Sequence, residues 1–157
     1  MLTLNGTESG AVYYSPTRAN GQDVLVTKDN HTNPLILVVE DVHEIRDGME
    51  KLLTADGYRV SLARDEHDAL DNGRLKRPDL ILVSLAGSPT DVSMVATRIR
   101  EGIQPGRNVP VVIFCGGGIG EGDEVAVGHN VHLTRPDNFN QLRSLLARLL
   151  DQNLSAV

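Results

Sequence analysis

Short buried-type strands alternating with amphipathic helices predict an α/β fold: a parallel five-stranded sheet with helices on both faces. Three observations carry this. The run Leu35-Ile36-Leu37-Val38-Val39 is apolar throughout and rich in β-branched residues, the mark of a strand covered on both faces, as in parallel sheets. Between such runs, apolar residues recur at helical spacing. The alternation persists through residues 34–151, and strand–crossover–strand order builds right-handed βαβ units.

The elements follow in order. After the first strand, Val42, Ile45, Met49, Leu52 and Leu53 form a helical stripe. Asp41 stands where an N-cap belongs, and Gly57 where a helix stops. Tyr58 to Ala63 alternates as a strand, and Glu66 to Leu75 reads as a weaker helix. Asp79 to Val83 is a second buried strand. Val92, Val95, Ala96 and Ile99 mark another helix, and Val109 to Phe114 a further buried strand. Gly116-Gly117-Gly118 opens a loop, and Gly122 to Val127 leaves room only for a short helix. Val131 to Thr134 is the last strand. Phe139, Leu142, Leu145, Leu146, Leu149 and Leu150 stripe the final helix. Residues 1–33 lack this periodicity and are expected to be a mostly flexible extension. A short hairpin fits only where Ala11–Tyr14 and Val24–Val26 flank Pro16 to Gly21. Residues 152–157 are expected to be a C-terminal tail.

Bulk properties narrow the function. The 157 residues carry a net charge of −6 and 40% hydrophobic residues, enough for one domain with a real core. No apolar run approaches the ~20 residues that cross a bilayer, and no signal peptide opens the chain, so no membrane role is expected. The lone Cys115 cannot form an internal disulfide. The expected location is cytoplasmic. The acidic balance argues against direct nucleic-acid binding.

In such sheets, chemistry gathers at the C-terminal ends of the strands. The residues there are Glu40 and Asp41, Ser84, Cys115 and Arg135. Two adjacent carboxylates suit a hard divalent cation such as Mg²⁺. Equally, Asp41 caps the helix and Glu40 is exposed beside it. Cys115 has no His-Asp arrangement beside it in sequence and reads as a buried structural cysteine. His129 and His132 lack a third ligand at metal spacing. The Gly116–Gly122 loop has neither a dinucleotide fingerprint nor a P-loop lysine.

Leu35 to Asp41, Ile45-Arg46, Leu52-Leu53, Gly57-Tyr58-Arg59-Val60, Ala63, Asp68-Ala69-Leu70 and Pro78 to Leu82 resemble the response-regulator receivers of bacterial two-component signalling. The resemblance continues through Asp91, Ile99-Arg100, Val109 to Val112, Leu133 to Pro136 and the last helix. It covers essentially all of residues 34–151 and implies the flavodoxin-like, CheY-like fold. It also implies phosphoryl transfer to an aspartate ending the third strand, where this chain has Ser84. Asp79 does not replace it, lying about 16 Å away at ~3.3 Å per residue. Where the family has a Ser or Thr hydroxyl, a switch aromatic and a lysine, this chain has Cys115, His132 and Arg135. Val92 replaces a family glycine, and the span from Cys115 to Arg135 is short by about two residues, so the fourth helix is expected to be stunted.

Joint loss of acceptor, hydroxyl, aromatic and lysine points to a pseudo-receiver. It is expected to be no enzyme and to need no cofactor, with at most weak Mg²⁺ at Glu40 and Asp41. Arg135 is expected to pair with that acidic couple in place of a metal. The resemblance implies a protein partner, a sensor kinase or a downstream signalling protein. The expected contact is the face of the fourth helix, fifth strand and fifth helix, which in the family also forms homodimers. No output domain is expected after the last helix. The alternatives are an active phosphorelay receiver using Ser84 or Asp91, or a small-ligand binder at the glycine-rich loop.

Overall fold

The computed structural model describes residues 33–155. The extension and hairpin expected over residues 1–33 therefore lie outside the described residues, apart from Asn33, as do residues 156–157. Among the described residues the chain forms six strands and four helices. They are β1 (Leu35–Glu40), α1 (His43–Ala55), β2 (Arg59–Ala63), α2 (Glu66–Leu75), β3 (Leu80–Ser84), α3 (Pro89–Ile103), β4 (Val111–Phe114), β5 (Glu124–Gly128), β6 (Val131–Thr134) and α4 (Phe139–Ser155). The strand order is β2-β1-β3-β4-β6-β5. Neighbours from β2 to β6 run parallel, and β5 pairs antiparallel with β6. The final helix continues beyond its Leu150 stripe to Ser155.

Every residue of β1 is buried, as its unbroken apolar run demands. Successive side chains then feed two cores. Leu37, Val39, Ile81 and Val83 pack with Ala69, Val92, Ala96 and Ile99 of α2 and α3. Ile36, Val38, Leu80 and Leu82 pack with Met49 and Leu53 of α1 and with Leu142, Leu145, Leu146 and Leu149 of α4.

Helix ends are set by local chemistry. Asp65 and Ser88 cap α2 and α3 by accepting the N–H groups of Asp68 (2.8 Å) and Asp91 (3.1 Å). Gly57, at φ 95°, closes α1 with bonds from its own N–H to the Thr54 carbonyl and from the Tyr58 N–H to the Leu53 carbonyl. Asp41 is not the N-cap expected of it. That position is Val42, whose N–H is held by the Glu40 carboxylate at 2.9 Å.

Two expectations of the sheet are corrected. It has six strands rather than five, and Gly122 to Val127 does not form a short helix. Val125 and Val127 alternate in Glu124-Val-Ala-Val-Gly128, and the tight turn that follows uses Asn130 at φ 60° to return as β6. The crossover from β4 to β6 thus carries an edge strand where a helix would cover the sheet.

This region hangs on one buried cation. The Arg100 guanidinium, on α3, donates to the carbonyls of Val109 (3.2 Å), His129 (2.8 Å) and Asn130 (3.4 Å). It fixes both the entry to β4 and the β5–β6 turn. Arg100→Met keeps the stem but orphans the Val109 and His129 carbonyls, while the Asn130 carbonyl keeps the Val111 N–H at 3.0 Å, and we expect it to cost about 2–4 kcal/mol in urea unfolding. Arg98→Met, which breaks only the exposed pair with Glu66, should leave the urea midpoint nearly unchanged. Equal effects of the two would contradict the clamp.

Candidate functional site

The parallel register brings the expected site residues to one end of the sheet. Glu40 ends β1 and lies directly beside Ser84, which ends β3. Cys115 follows β4, and its N–H bonds the Thr134 carbonyl at 2.9 Å. Arg135 follows β6. A cleft of about 500 Å³ collects Glu40, Asp41, Ser84, Cys115 and Arg135 together with the Gly116 backbone. His132 is not in it.

Each group has a distinct environment. Glu40 is buried, one carboxylate oxygen occupied by the Val42 N–H, contrary to its expected exposure beside a capping Asp41. Asp41 is exposed. Ser84 is half-buried and has no base positioned on its hydroxyl among the hydrogen bonds of the described residues. Burial pushes the Cys115 thiol above its ordinary range, which keeps it protonated and inert at neutral pH.

The expected pairing of Arg135 with the acidic couple does not form. Its guanidinium donates to the Ile119 carbonyl at 3.2 Å, and none of the ion pairs among the described residues joins it to Glu40 or Asp41. The reason is the loop between β4 and β5. Arg135 also bonds Asp123 and Gly122 through its backbone, so the loop folds against it and takes its side chain as a brace. The cation beside the acidic couple is Arg46, which sequence reasoning passed over. It donates to the Glu40 main-chain carbonyl at 2.7 Å and lies 3.2 Å from His43 Nδ1. Its signal was its place on the first full turn of α1, on the side that returns over the strand end.

Whether these residues suit Mg²⁺ turns on the donor set. Six oxygen ligands are wanted, several from water and usually one or two from carboxylates. Here one carboxylate is already bonded to a main-chain N–H, and the neighbouring strand end offers a neutral hydroxyl, Ser84. Among the described residues no group of three His, Cys, Asp or Glu side chains converges. The residues do not fit a tight Mg²⁺ site.

His132 lies outside the cleft, on the face of β6 turned towards α4. Its Nε2 is 3.3 Å from Asn130 Oδ1. Across it, Arg148 of α4 and Glu124 of β5 pair at 2.6 Å.

The fold is the flavodoxin-like α/β fold of CheY-like receivers. A receiver protein from Methanospirillum hungatei aligns with 80% of this chain and 100% of its own, with a TM-score of 0.63 and 16% identity. The receiver domain of a sensor histidine kinase from Pseudomonas aeruginosa, described with magnesium in its active-site cleft, aligns with 76% of this chain and 99% of its own at a TM-score of 0.58 and 26% identity. In sequence, the transcriptional regulatory protein AfsQ1 of Streptomyces coelicolor is 29% identical over 124 residues, or 79% of this chain and 51% of that protein. The chain spans about half the length, or less, of the curated relatives it matches. No family model matches it. Fold and sequence together support the response-regulator receiver family. Among the described residues no helix is long and apolar enough to cross a membrane.

The environment of His132 gives a pH signature. Burial, and then the nearby Arg148, pull its pKa below the ordinary 6.5, against a smaller opposing effect of Glu124. Just below pH 6.5 the unfolded chain therefore binds the proton more readily than the folded one, so stability falls as pH drops through that window and rises as pH climbs out of it. Urea midpoints measured across this range should show the slope, and His132→Asn should flatten it. An unchanged slope in that variant would contradict the assignment.

Proposed function

We propose that this chain is an atypical receiver of two-component signalling that works through protein contacts and takes up no phosphoryl group. The observation that carries this reading is Ser84 at the end of β3, beside Glu40. The strand ends are in register, but the position facing the acidic couple offers a hydroxyl with no base to activate it. Cys115 and Arg135 support the same reading, since the first is a buried thiol and the second is spent on the Ile119 carbonyl.

Asp91 offers no substitute acceptor. It sits in the first turn of α3, its N–H bonded to Ser88 Oγ, and is not among the residues lining the cleft. The partner in this reading is a sensor kinase or a downstream signalling protein. Its contact needs restating, because no fourth helix stands between β4 and β6. The surface beside β6 is built from α4 and the exposed strand β5, joined by the Arg148–Glu124 pair.

The test is direct. The protein is incubated with acetyl phosphate and Mg²⁺ and its intact mass is followed with time. We expect no phosphoryl adduct, and the same result for Ser84→Ala. A labile adduct on the wild type that Ser84→Ala abolishes would overturn the reading in favour of serine as acceptor, and one that survives would overturn it in favour of another acceptor.

A further inference from the structure

The two edges of the sheet are treated differently. On the β2 edge, the Asn72 side-chain amide caps the Leu62 carbonyl. On the β5 edge, every residue of Glu124–Gly128 is exposed, and none is Lys or Pro, the residues that usually guard an edge. Val125 and Val127 remain 38% and 46% exposed.

The ladder shows which groups are free. Glu124 lies opposite Thr134, Val125 opposite Leu133 and Ala126 opposite His132. The Arg135 N–H bonds the Asp123 carbonyl, so by alternation Val125 directs its N–H and C=O at β6. The N–H and C=O groups of Glu124 and Ala126 therefore point away from the sheet. Side chains alternate likewise. Glu124 turns to Arg148 on the α4 face, while Val127 joins Leu133, Pro89 and Met94 in an apolar groove of about 580 Å³ beside α3.

We propose that the β5 edge is a self-association surface, on which β5 of a second copy of this chain pairs antiparallel across a two-fold axis through Val125. Antiparallel pairing of one strand with itself is isologous, so the symmetry closes at a dimer. In this register Glu124 faces Ala126 of the partner subunit, and the outward peptide groups of each satisfy the other. Val125 meets Val125 of the partner subunit as an apolar cross-strand pair. The charges are compatible, because Glu124 does not oppose its own copy and is already paired with Arg148. The register shift at Ala126/Gly128 leaves Glu124–Ala126 as the regular part of the edge. So short a contact buries much less than the about 1,200–2,000 Å² of stable complexes, which makes the dimer reversible and concentration-dependent.

Sedimentation velocity of the full 157-residue chain over a concentration series reads this directly. The weight-average sedimentation coefficient should climb from the monomer towards the dimer value as concentration rises. Ala126→Pro removes an N–H that β6 does not use and should hold the protein at the monomer value with its melting temperature little changed. Val125→Lys sets like charges against each other at the axis and should do the same, and it decides the matter if the proline variant fails to fold. A wild type that stays monomeric at the highest concentration, or variants that associate as it does, would overturn the proposal.

Discussion

The constraint on which the rest depends is the exclusion of water from the middle of the two central strands. Ile36, Val38, Val39 and Leu80 to Val83 are each 0% exposed, held between α2 and α3 on one side and α1 and α4 on the other. Each such side chain contributes about 1.5–3 kcal/mol relative to exposure, as an upper value. Burial on both faces also removes the freedom to slip, since a one-residue shift would exchange every side chain between the two cores. The strand register is therefore rigid, and with it the adjacency of Glu40 and Ser84. The site is placed by the core, not by contacts within the site.

That separation lets the residues at the strand ends differ while the architecture is kept. A serine at the end of β3 costs the fold nothing, because the residue lies past the sealed part of the strand and is only half-buried. The acidic couple also needs no metal to be tolerated. Glu40 shares its charge with the Val42 N–H, Asp41 faces solvent, and Arg46 lies across the strand end. The crossover from β4 to β6 is built differently from the other crossovers. Its glycine-rich loop is bound to Arg135, and its remaining length is spent on a strand that extends the sheet rather than a helix that covers it.

The core and all five parallel strands were legible because their signal is local, and it is strongest where Leu35 to Val39 and Leu80 to Val83 admit no exposed face. The α2 helix was legible over its whole length, Glu66–Leu75, although its cap, Asp65, was not. The β5 strand was not, because Val125-Ala126-Val127 is too short to outweigh the expectation that a helix joins parallel strands. Its clue was the valine alternation followed by Gly128 and Asn130. Of the site, the identities at the strand ends follow from sequence, but partnerships do not. Whether Arg135 turns to Glu40 or to Ile119 depends on how the intervening loop folds, and no spacing rule encodes that. Asp41 was misjudged for a similar reason: Glu40, a buried residue one step earlier, had the better reach to the helix N–H.

In the proposed reading the strand ends form a receiver-like frame short of one carboxylate. Thermal unfolding of the wild type and of Ser84→Asp, each with and without Mg²⁺, tests it most directly. A third carboxylate beside Glu40 and Asp41 should destabilise the protein through like-charge repulsion, and Mg²⁺ should relieve that by ligation. The account predicts a melting temperature of Ser84→Asp that is lowered without Mg²⁺ and rises saturably with it, while the wild type shows no saturable response. A wild type stabilised by Mg²⁺ as strongly as Ser84→Asp, or a variant indifferent to the ion, would contradict it.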